Sequence, residues 1–393
     1  MRVLCVFGTR PEAIKMAPVI KELKRHPDYF ETRICVTAQH REMLDQMLEL
    51  FGITPDIDLN LMEPDQTLPA LTSKVLLAMT RLLEEEKPDW VLIQGDTTTV
   101  MATALAAFYL RIPVGHIEAG LRTLDRYSPF PEEINRRLVT VLATYHFAPT
   151  KRAQERLIAE GVDPRNVFLT GNTIVDAIQW ILESPVSEEA KRIFSELGLP
   201  DPAVARLEDL SFKLILVTAH RRESFGPPFE SLCRGLRAIA ERNKDVLLLY
   251  PVHLNPNVRR PVMRILSGHP RIKLIDPLPY EPFVRLMDIS YLILTDSGGI
   301  QEEASVLGKP VLVLREVTER PELIEAGIGK IVGTDTERIL EEAETLLRSP
   351  VVYQAMARKA ALFGDGQAAK RIVKILSGNL DEVQSIDLQW GMA

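Results

Sequence analysis

Short apolar runs alternate with longer amphipathic segments along the chain, and this alternation predicts the elements of the fold. The runs have the length of strands that are buried on both faces, whereas the segments between them repeat apolar residues at helical spacing. The first series of predicted strands covers residues 3–7, 33–37, 90–93, 114–117, 145–147 and 167–169. The second series covers residues 214–218, 246–250, 272–275, 292–295, 311–314 and 327–332. Such alternation predicts parallel sheets that are wrapped by helices.

The two series predict an α/β protein with two Rossmann-like domains that face each other across a cleft. Residues 184–212, which carry several Pro, Ser and charged residues, separate one series from the other. We expect an N-terminal domain over residues 1–175 and a C-terminal domain over residues 176–365. The terminal segment, residues 366–393, is expected to pack back on the first domain. Pro18 lies inside the first predicted helix, and we expect it to interrupt that helix.

Composition and charge argue against several classes of protein. The 393 residues include 47 Lys and Arg against 54 Asp and Glu, so the net charge of −7 gives no reason to expect nucleic acid or an anionic membrane as a partner. No stretch approaches the roughly 18 apolar residues of a membrane span. Cys5, Cys35 and Cys233 have neither metal-ligand spacing nor the even number of a disulfide framework. A soluble, cytoplasmic protein with buried thiols at Cys5 and Cys35 is the simplest interpretation.

Polar and charged side chains collect where the predicted strands end, which is the edge at which open parallel sheets bind ligands. Ser297, Gly298 and Gly299 follow one strand and open a helix. Small residues there allow an anion to approach the backbone N–H groups, and the helix dipole favours negative charge. The three residues therefore predict either a diphosphate site or a plain turn from strand to helix. Glu303, on the same helix, is a candidate ligand of a ribose diol or a solvated helix acid.

Three acids, Asp96, Glu118 and Glu132, stand at or just beyond the ends of predicted strands. Carboxylates that share a partly dry site push one another's pKa values apart, which allows acid and base roles. Each acid also has a structural interpretation. Asp96 precedes three threonines and has the position of a residue that caps the next helix. Glu132 follows Pro131 and could complement the N-terminus of a helix.

Cations are expected at the same edges of the sheets. His220 ends a strand and is followed by two arginines, which favours recognition of an anion and stabilisation of a leaving phosphate. Arg10 and Lys15 either place positive charge at the first strand end or are surface cations near a helix start. The chain has neither the G-x-G-x-x-G fingerprint nor the P-loop motif, so nicotinamide dehydrogenases and P-loop NTPases are poorly supported. No pair of His and acid has metal-ligand spacing, and we expect no catalytic metal.

Long motifs in a fixed order point to a family that the chain closely resembles. The motifs are Phe7-Gly8-Thr9-Arg10-Pro11-Glu12, Gln39-His40-Arg41, Gln94-Gly95-Asp96-Thr97-Thr98-Thr99, Gly115-His116-Ile117-Glu118-Ala119-Gly120-Leu121-Arg122, Pro129-Phe130-Pro131-Glu132-Glu133-Ile134-Asn135-Arg136, His220-Arg221-Arg222-Glu223-Ser224, Asp296-Ser297-Gly298-Gly299-Ile300-Gln301-Glu302-Glu303 and Glu319-Arg320-Pro321-Glu322. Over nearly the whole chain they resemble the non-hydrolysing UDP-N-acetylglucosamine 2-epimerases of bacteria. The resemblance implies the two-domain glycosyltransferase-B fold and the interconversion of UDP-N-acetylglucosamine and UDP-N-acetylmannosamine without a cofactor.

The resemblance also implies a mechanism and roles for individual residues. UDP leaves C1 of the sugar together with the C2 proton, and it adds back to 2-acetamidoglucal while C2 is protonated on the other face. Asp96, Glu118 and Glu132 would form the acid/base cluster, and which of them removes the C2 proton stays open. His220 would contact the phosphates or assist the departure of UDP. The positions that match nucleotide-binding residues of the family are Arg10, Lys15, Phe283, Ser297, Gly298, Gly299, Glu303 and Arg320, with Phe283 against uracil.

Some bacterial members of the family bind a second UDP-N-acetylglucosamine as an activator. The positions that match this second site are Gln39, His40, Glu132, Arg221 and His253. Glu42 and Asp65 depart from it, because some regulated members have Gln and Arg there, and Asp65 would place an anion beside a diphosphate. The family habit is a homodimer whose product supplies N-acetylmannosamine units for bacterial surface polysaccharide.

Three other functions stay open on the sequence. A glycosyltransferase of the same fold would need an acceptor and would not exchange hydrogen at C2. A hydrolysing relative would release free N-acetylmannosamine and UDP. A catalytically silent sensor of UDP-sugars would need the phosphate site but not the cluster of three acids.

Overall fold

All the strand pairings in the described part of the chain are parallel, as the uninterrupted apolar runs predict. The computed structural model describes residues 1–37, 41–61, 63 and 66–378, with the backbone alone at 41–43. Helices flank two separate sheets, so the predicted α/β fold is confirmed. The chain forms two units. Unit 1 contains Met1–Gln179 and the chain from Phe363 onward, and unit 2 contains Trp180–Leu362.

Unit 1 contains a seven-stranded sheet. Its strands are β1 (Arg2–Phe7), β2 (Glu31–Val36), β3 (Ile57–Asp58), β4 (Trp90–Gln94), β5 (Val114–Ile117), β6 (Tyr145–Ala148) and β7 (Val167–Leu169). Its helices are α1 (Arg10–Lys24), α2 (Arg41–Phe51), α3 (Leu68–Glu86), α4 (Thr98–Tyr109), α5 (Glu132–Leu142), α6 (Lys151–Ala159) and the start of α7 (Thr173–Glu183). The strand order is β3-β2-β1-β4-β5-β6-β7. It reverses between β1 and β4, and ligands of open parallel sheets bind at such a switch point.

Unit 2 contains a six-stranded sheet with the same kind of reversal. Its strands are β8 (Lys213–Thr218), β9 (Val246–Pro251), β10 (Ile272–Ile275), β11 (Leu292–Thr295), β12 (Val311–Val313) and β13 (Gly329–Ile331). Its helices are α8 (Glu188–Glu196), α9 (Pro227–Arg242), α10 (Pro256–Leu266), α11 (Tyr280–Asp288), α12 (Gly298–Leu307), α13 (Pro321–Glu325), α14 (Thr336–Arg348) and α15 (Pro350–Met356). The strand order is β10-β9-β8-β11-β12-β13, so the switch point lies between β8 and β11.

The chain returns to unit 1 at Phe363, and its last described helix, α16 (Ala368–Leu376), packs against α1. Asp176 on α7 accepts the backbone N–H groups of Ala368 and Ala369 at 3.3 and 2.9 Å, which holds the first turn of α16. Burial raises the pKa of Asp176 to about 7 despite these two donors. The part of the expected terminal segment beyond residue 378 lies outside the described residues.

The apolar runs of the sequence form the centre of each unit. Leu4 and Leu92 in unit 1 and Leu216 in unit 2 are fully buried, and burial of one such side chain contributes about 1.5–3 kcal/mol. Cys5 and Cys35 are buried free thiols, as predicted. Burial raises the pKa of each to about 12, so the reactive thiolate is scarce at neutral pH. No helix in the described ranges is both long and apolar enough to cross a bilayer.

The structure corrects the sequence analysis at two local features. Helix α1 continues through Pro18, where an interruption was expected, because its buried face, including Met16 and Ile20, holds the helix against the sheet. Strand β3 was not predicted. It has only Ile57 and Asp58 at one edge of the sheet, and two residues carry no detectable period.

Candidate active site

Each unit places its chemically capable side chains at the carboxyl ends of the strands around its switch point. In unit 1 these residues follow β1, β4 and β5, and in unit 2 they follow β8 and β11. Parallel strands end at the same edge of a sheet, so residues far apart in sequence meet there. Each unit therefore carries its own set of candidate residues.

The loop after β1 is held by Glu12, which the sequence analysis did not single out. Glu12 Oε2 accepts the backbone N–H groups of Gly8 and Thr9 at 2.7 and 2.8 Å, and Glu12 Oε1 accepts the hydroxyl of Thr97 at 2.6 Å. With Thr9 it forms a capping box at the start of α1. Burial raises the pKa of Glu12 despite these donors. Arg10 begins α1 directly after this loop, so Glu12 sets its backbone position.

Glu118 follows β5 and accepts hydrogen bonds from three other parts of unit 1. Lys15 Nζ on α1 lies 2.5 Å from Glu118 Oε1, and Asn172 Nδ2 just before α7 lies 3.0 Å from the same oxygen. Gln94 at the end of β4 donates through Nε2 to Glu118 Oε2. The backbone of Glu118 has a φ of +66°, and its side chain is 7% exposed. A left-handed conformation costs a non-glycine residue on the order of 1–3 kcal/mol and is typical of functional sites.

Asp96 comes directly after β4, and its structural interpretation as a helix cap is wrong. Thr97 caps α4 instead, because its Oγ1 accepts the N–H of Val100 at 3.3 Å. Asp96 faces α5, where Arg136 Nε and Nη2 lie 2.8 and 2.7 Å from Asp96 Oδ2. Asn135 Nδ2 donates to the Asp96 carbonyl oxygen at 2.9 Å. A threonine one position later satisfies the helix terminus and leaves the carboxylate for the ion pair.

Glu132 is half-buried and begins α5, the helix that also carries Arg136. This position agrees with its interpretation as an acid that complements a helix N-terminus. Beside it, Glu133 is fully buried and accepts the N–H of Thr123 at 2.9 Å and Nη2 of Arg137 at 3.0 Å. Burial alone would raise the pKa of Glu133, but these donors lower it. The start of α5 is therefore tied to the preceding loop by an ionised carboxylate.

A buried histidine supports the turn that leads from β4 to Asp96. His116 Nε2 lies 2.7 Å from the carbonyl oxygen of Gly95, so this nitrogen carries the proton and donates the hydrogen bond. Burial lowers the pKa of His116 to about 4, and the ring is neutral at neutral pH. Gly95 has a φ of +85°, which glycine adopts without strain. The hydrogen bond therefore fixes the residue that precedes Asp96.

In unit 2, Asp296 organises the residues that follow β8. Asp296 Oδ2 accepts the backbone N–H groups of His220 and Arg221 at 2.6 and 2.7 Å, and its side chain is 1% exposed. His220 Nδ1 lies 3.7 Å from Asp296 Oδ1, and the His220 ring stacks on His253 with 5.3 Å between the centroids. Burial lowers the pKa of His220 even though Asp296 opposes the shift. The structure thus brings His220 and His253 together, although the resemblance assigns them to different sites.

The N-terminus of α12 lies beside Arg320. Ser297 precedes the helix, and its side chain makes no capping hydrogen bond. A Cβ atom on Gly298 would lie 3.8 Å from Arg320 Cζ, and a Cβ atom on Gly299 would lie 3.9 Å from Ser297 Oγ. Arg320 Nε donates to the buried carboxylate of Glu302. This first turn therefore offers backbone N–H groups, a helix dipole and a guanidinium to an approaching anion.

Two further residues implied by the resemblance lie on the packed helices α11 and α12. Phe283 and Glu303 are both buried, so the interpretation of Glu303 as a solvated helix acid is wrong. Tyr280 donates its hydroxyl to Glu303 Oε1 at 3.2 Å and joins the two helices. Phe283 comes three residues after Tyr280, which places both on one face of α11. Phe283, Glu303 and the first turn of α12 therefore belong to one region of unit 2.

Arg315 holds the loop that leads into α13. Its Nη1 and Nη2 lie 2.8 and 3.2 Å from the two carboxylate oxygens of Glu319, and its Nε lies 2.5 Å from Glu223 Oε1. Burial alone would raise the pKa of Glu319, but Arg315 lowers it to about 2. Glu319 precedes Arg320, so this ion pair fixes the backbone that carries the Arg320 guanidinium.

Four residues of the sequence analysis fall wholly or partly outside the described part of the chain. Gln39, His40 and Asp65 lie outside the described residues, as does the side chain of Glu42. Among the residues that the structure describes, no group of three or more His, Cys, Asp and Glu could hold a metal ion.

The sequence analysis missed residues that hold the candidate catalytic groups in place. These residues are Glu12, Gln94, His116, Arg136 and Asn172. The first four lie inside the long motifs, so their presence there was a usable signal. Asn172 lies outside those motifs, and only its contact with Glu118 distinguishes it from an ordinary residue after a strand.

Comparisons with known proteins agree with the geometry. A family model described as UDP-N-acetylglucosamine 2-epimerase matches residues 21–377. The chain is 55% identical over 379 residues to the UDP-N-acetylglucosamine 2-epimerase of Escherichia coli K12, which covers 96% of this chain and 99% of that protein. The UDP-GlcNAc 2-epimerase of Neisseria meningitidis bound to UDP-GlcNAc is 48% identical, with a TM-score of 0.88 and coverage of 96% and 100%. The Methanocaldococcus jannaschii enzyme in complex with UDP-GlcNAc and UDP is 34% identical, with a TM-score of 0.79 and coverage of 96% and 100%.

Proposed function

Because this chain belongs to the family of UDP-N-acetylglucosamine 2-epimerases and is an isomerase, we propose that it works by eliminating UDP and adding it back. In the elimination, a carboxylate takes the C2 proton, the C1–oxygen bond breaks toward UDP, and a C1–C2 double bond forms. In the addition, the UDP oxygen returns to C1 while an acid on the opposite face protonates C2. The substrate is UDP-N-acetylglucosamine, the product is UDP-N-acetylmannosamine, and the electrons balance without a redox cofactor.

The observation that carries this proposal is the pair of acids after the neighbouring strands β4 and β5. Asp96 and Glu118 are each held by donors from other elements, and Glu132 begins the helix that holds Asp96. Inversion at C2 requires proton transfer on both of its faces, so it requires more than one acid/base group. Carboxylates also stabilise the positive charge that develops at C1 as the bond to UDP breaks. Asp96, Glu118 and Glu132 therefore act on the sugar.

Unit 2 supplies the groups that suit a departing diphosphate. The first turn of α12, at Ser297, Gly298 and Gly299, offers N–H groups, and Arg320 offers a guanidinium. His220 donates from a ring that the backbone bonds of Asp296 keep in place. Donors of this kind stabilise negative charge that develops as a bond breaks, and in oxyanion holes the removal of one donor costs about 2.7–4 kcal/mol.

The remaining nucleotide contacts are those that the resemblance to the family implies. Glu303 accepts hydrogen bonds from the two ribose hydroxyls, and Phe283 packs against uracil. Arg10 and Lys15 match nucleotide-binding positions of the family and are proposed to bind the nucleotide, and Lys15 also contacts Glu118 at 2.5 Å. The product then serves a transferase that builds N-acetylmannosamine into bacterial surface polysaccharide.

Incubation of the protein with UDP-N-acetylglucosamine in deuterium oxide tests the proposal. We expect deuterium at C2 of UDP-N-acetylmannosamine and, after equilibration, of UDP-N-acetylglucosamine. Free N-acetylmannosamine and UDP would indicate hydrolysis instead. Absence of C2 exchange would contradict epimerisation and would leave a glycosyltransferase or a silent sensor, which a screen of acceptors separates.

A second UDP-N-acetylglucosamine acts as an activator in this proposal, through Gln39, His40, Arg221 and His253. The stacking of His253 on His220 supports it, because a ligand at His253 would act directly on a group at the leaving diphosphate. UDP-N-acetylmannosamine alone should then react slowly until a small amount of UDP-N-acetylglucosamine is added. Equal rates with and without the added UDP-N-acetylglucosamine would contradict activation.

The homodimer of the family is also proposed for this chain. Exposed apolar side chains lie on three helices that pack in sequence, α3, α4 and α5. These side chains are Leu77, Phe108, Tyr109, Leu138 and Val141. Sedimentation equilibrium should give twice the chain mass of 44.2 kDa, and Val141→Asp should weaken the association. A monomer at all concentrations would contradict the proposal.

A further inference from the structure

Asn172 makes two contacts that join separate parts of unit 1. Its side-chain Nδ2 donates to Glu118 Oε1 at 3.0 Å, and its backbone N–H donates to the carbonyl oxygen of Phe363 at 2.6 Å. Asn172 is 2% exposed, and its hydrogen bond to Glu118 is partly buried. Phe363 is the residue at which the chain re-enters unit 1. One residue therefore contacts both a candidate catalytic carboxylate and the returning chain.

The returning chain lies directly on the Asn172 backbone. A Cβ atom on Gly364 would lie 3.3 Å from Gly171 Cα and 3.4 Å from the Asn172 nitrogen, and Gly364 has a φ of +133°. This conformation and this close approach both favour glycine. The position of Asn172 is thus set by a backbone contact that tolerates little change.

We propose that Asn172 is a positioning residue, which orients the Glu118 carboxylate through its amide and is itself positioned by Phe363 and Gly364. This inference rests on the proposed function, in which Glu118 acts on the sugar. A glutamate side chain has three rotatable bonds, so its carboxylate needs several contacts to hold one orientation. Lys15 and Asn172 meet Glu118 Oε1 from α1 and from the start of α7, and Gln94 meets Oε2 from β4.

Asn172 has a second, purely structural contact that the test must separate from the first. Its Oδ1 accepts the N–H of Ile174 at 3.0 Å and so stabilises the start of α7. Asn172→Asp keeps this acceptor, keeps the size of the side chain and adds a negative charge that suits a helix N-terminus. The same substitution replaces the donor to Glu118 by a second carboxylate. A structural role therefore predicts an unchanged or more stable protein, whereas the positioning role predicts repulsion between residues 172 and 118.

The first measurement is steady-state kinetics of Asn172→Asp with UDP-N-acetylglucosamine. We expect kcat to fall about 10²-fold, as for other misplaced catalytic groups, with KM within about threefold of the wild-type value. A kcat equal to that of the wild type would overturn the inference. If the wild-type protein itself shows no epimerisation, the proposed function fails, and the second measurement still tests the contact.

The second measurement is the thermal unfolding midpoint of Asn172→Asp in two backgrounds. We expect a lower midpoint in the wild-type background and a smaller loss in the Glu118→Gln background, because the neutral Gln side chain carries no charge that repels the introduced carboxylate at position 172. The same effect in both backgrounds would overturn the inference. Asn243→Asp is the matched control, since Asn243 is also buried and donates through Nδ2 to the Ile239 carbonyl at 2.9 Å. This control should keep kcat and should not respond to Glu118→Gln.

Discussion

Units 1 and 2 have equivalent strands at their switch points but use the aspartate at that point in opposite ways. Asp96 follows β4, its side chain is 27% exposed, and it pairs with Arg136. Asp296 follows the equivalent strand β11, is 1% exposed, and accepts the backbone N–H groups of His220 and Arg221. The aspartate side chain is therefore accessible to solvent in unit 1 and buried in unit 2.

The consequence is a difference in the charge that each unit offers to a ligand. Unit 1 offers carboxylates, which suit proton transfer and a developing positive charge. Unit 2 offers a histidine ring, a guanidinium and a helix N-terminus, which suit an anion. Since the two sheets share the same reversal of strand order, the fold does not decide the chemistry at the switch point. The donors that neighbouring elements provide decide it.

The largest expected effect comes from removing a carboxylate of unit 1. Asp96→Asn, Glu118→Gln or Glu132→Gln should lower kcat about 10²–10⁴-fold while UDP affinity changes little, because the proposed function assigns these acids to the sugar and not to the nucleotide. Kinetics and calorimetric titration with UDP measure the two quantities. Glu155→Gln, at an exposed acid on α6, is the control and should change neither. Equal losses of kcat and UDP affinity in all three variants would contradict the division between the units.

A smaller effect, on UDP binding, is expected when one methyl group is added at Gly299 in unit 2. Gly299→Ala should weaken UDP binding about tenfold or more, because its Cβ would stand over the N–H groups to which the proposed function assigns the diphosphate. Alanine is a better helix former than glycine by up to about 1 kcal/mol, so the unfolding midpoint should stay the same or rise. Binding of uridine, which has no phosphate, is the control and should be unaffected. Equal weakening of UDP and uridine would place the diphosphate elsewhere.

Gly364→Ala tests whether the chain that returns at Phe363 influences the candidate catalytic residues of unit 1. Its methyl group would press on Gly171 and Asn172, so we expect a several-fold lower kcat and a loss of about 1–3 kcal/mol in stability. Gly268→Ala in unit 2 is matched, since Gly268 also has a positive φ of +75° but no atom within 4 Å of its added Cβ. That control should lose stability and keep kcat. A kcat loss shared by both variants would point to general destabilisation.

The smallest effects concern stability against pH, where one carboxyl group of each unit behaves oppositely. Burial raises the pKa of Asp176 to about 7 from its ordinary value of 3.8, so the folded protein binds the extra proton between these values. The contribution of Asp176 to the free energy of unfolding should therefore fall as the pH rises from 3.8 to about 7, by at most about 1.4 kcal/mol per pH unit. Burial alone would raise the pKa of Glu319, but Arg315 lowers it from 4.5 to about 2. The contribution of Glu319 to the free energy of unfolding should therefore be lost as the pH falls from 4.5 to about 2.

Unfolding free energies of the wild type, Asp176→Asn and Glu319→Gln, measured across pH, check both directions. The wild type should lose stability relative to Asp176→Asn between about pH 4 and 7. It should lose stability relative to Glu319→Gln as the pH falls below about 4.5. A difference that does not vary with pH would contradict the assigned titration of that group.

The hydrophobic pattern was sufficient for the described strands other than β3 and for the parallel sheets, because strands buried on both faces must be apolar along their length. Residues 114–117, for example, were predicted as a strand and form β5. The motifs were sufficient for the family, whose model matches residues 21–377. Polar residues at the ends of the predicted strands pointed to Asp96, Glu118 and His220, because open parallel sheets bind ligands at that edge.

Tertiary structure alone decided how those groups are held. That Arg136 faces Asp96, that Asp296 turns inward and that Asn172 reaches Glu118 depends on side chains from elements distant in sequence. A residue's own neighbours in the chain determine its local conformation, but hydrogen bonds across a sheet edge depend on strand order and helix placement. The amino-acid sequence therefore determined which chemical groups stand at the strand ends. The packing of the elements decided which of these groups stay accessible, such as Asp96, and which are buried, such as Asp296.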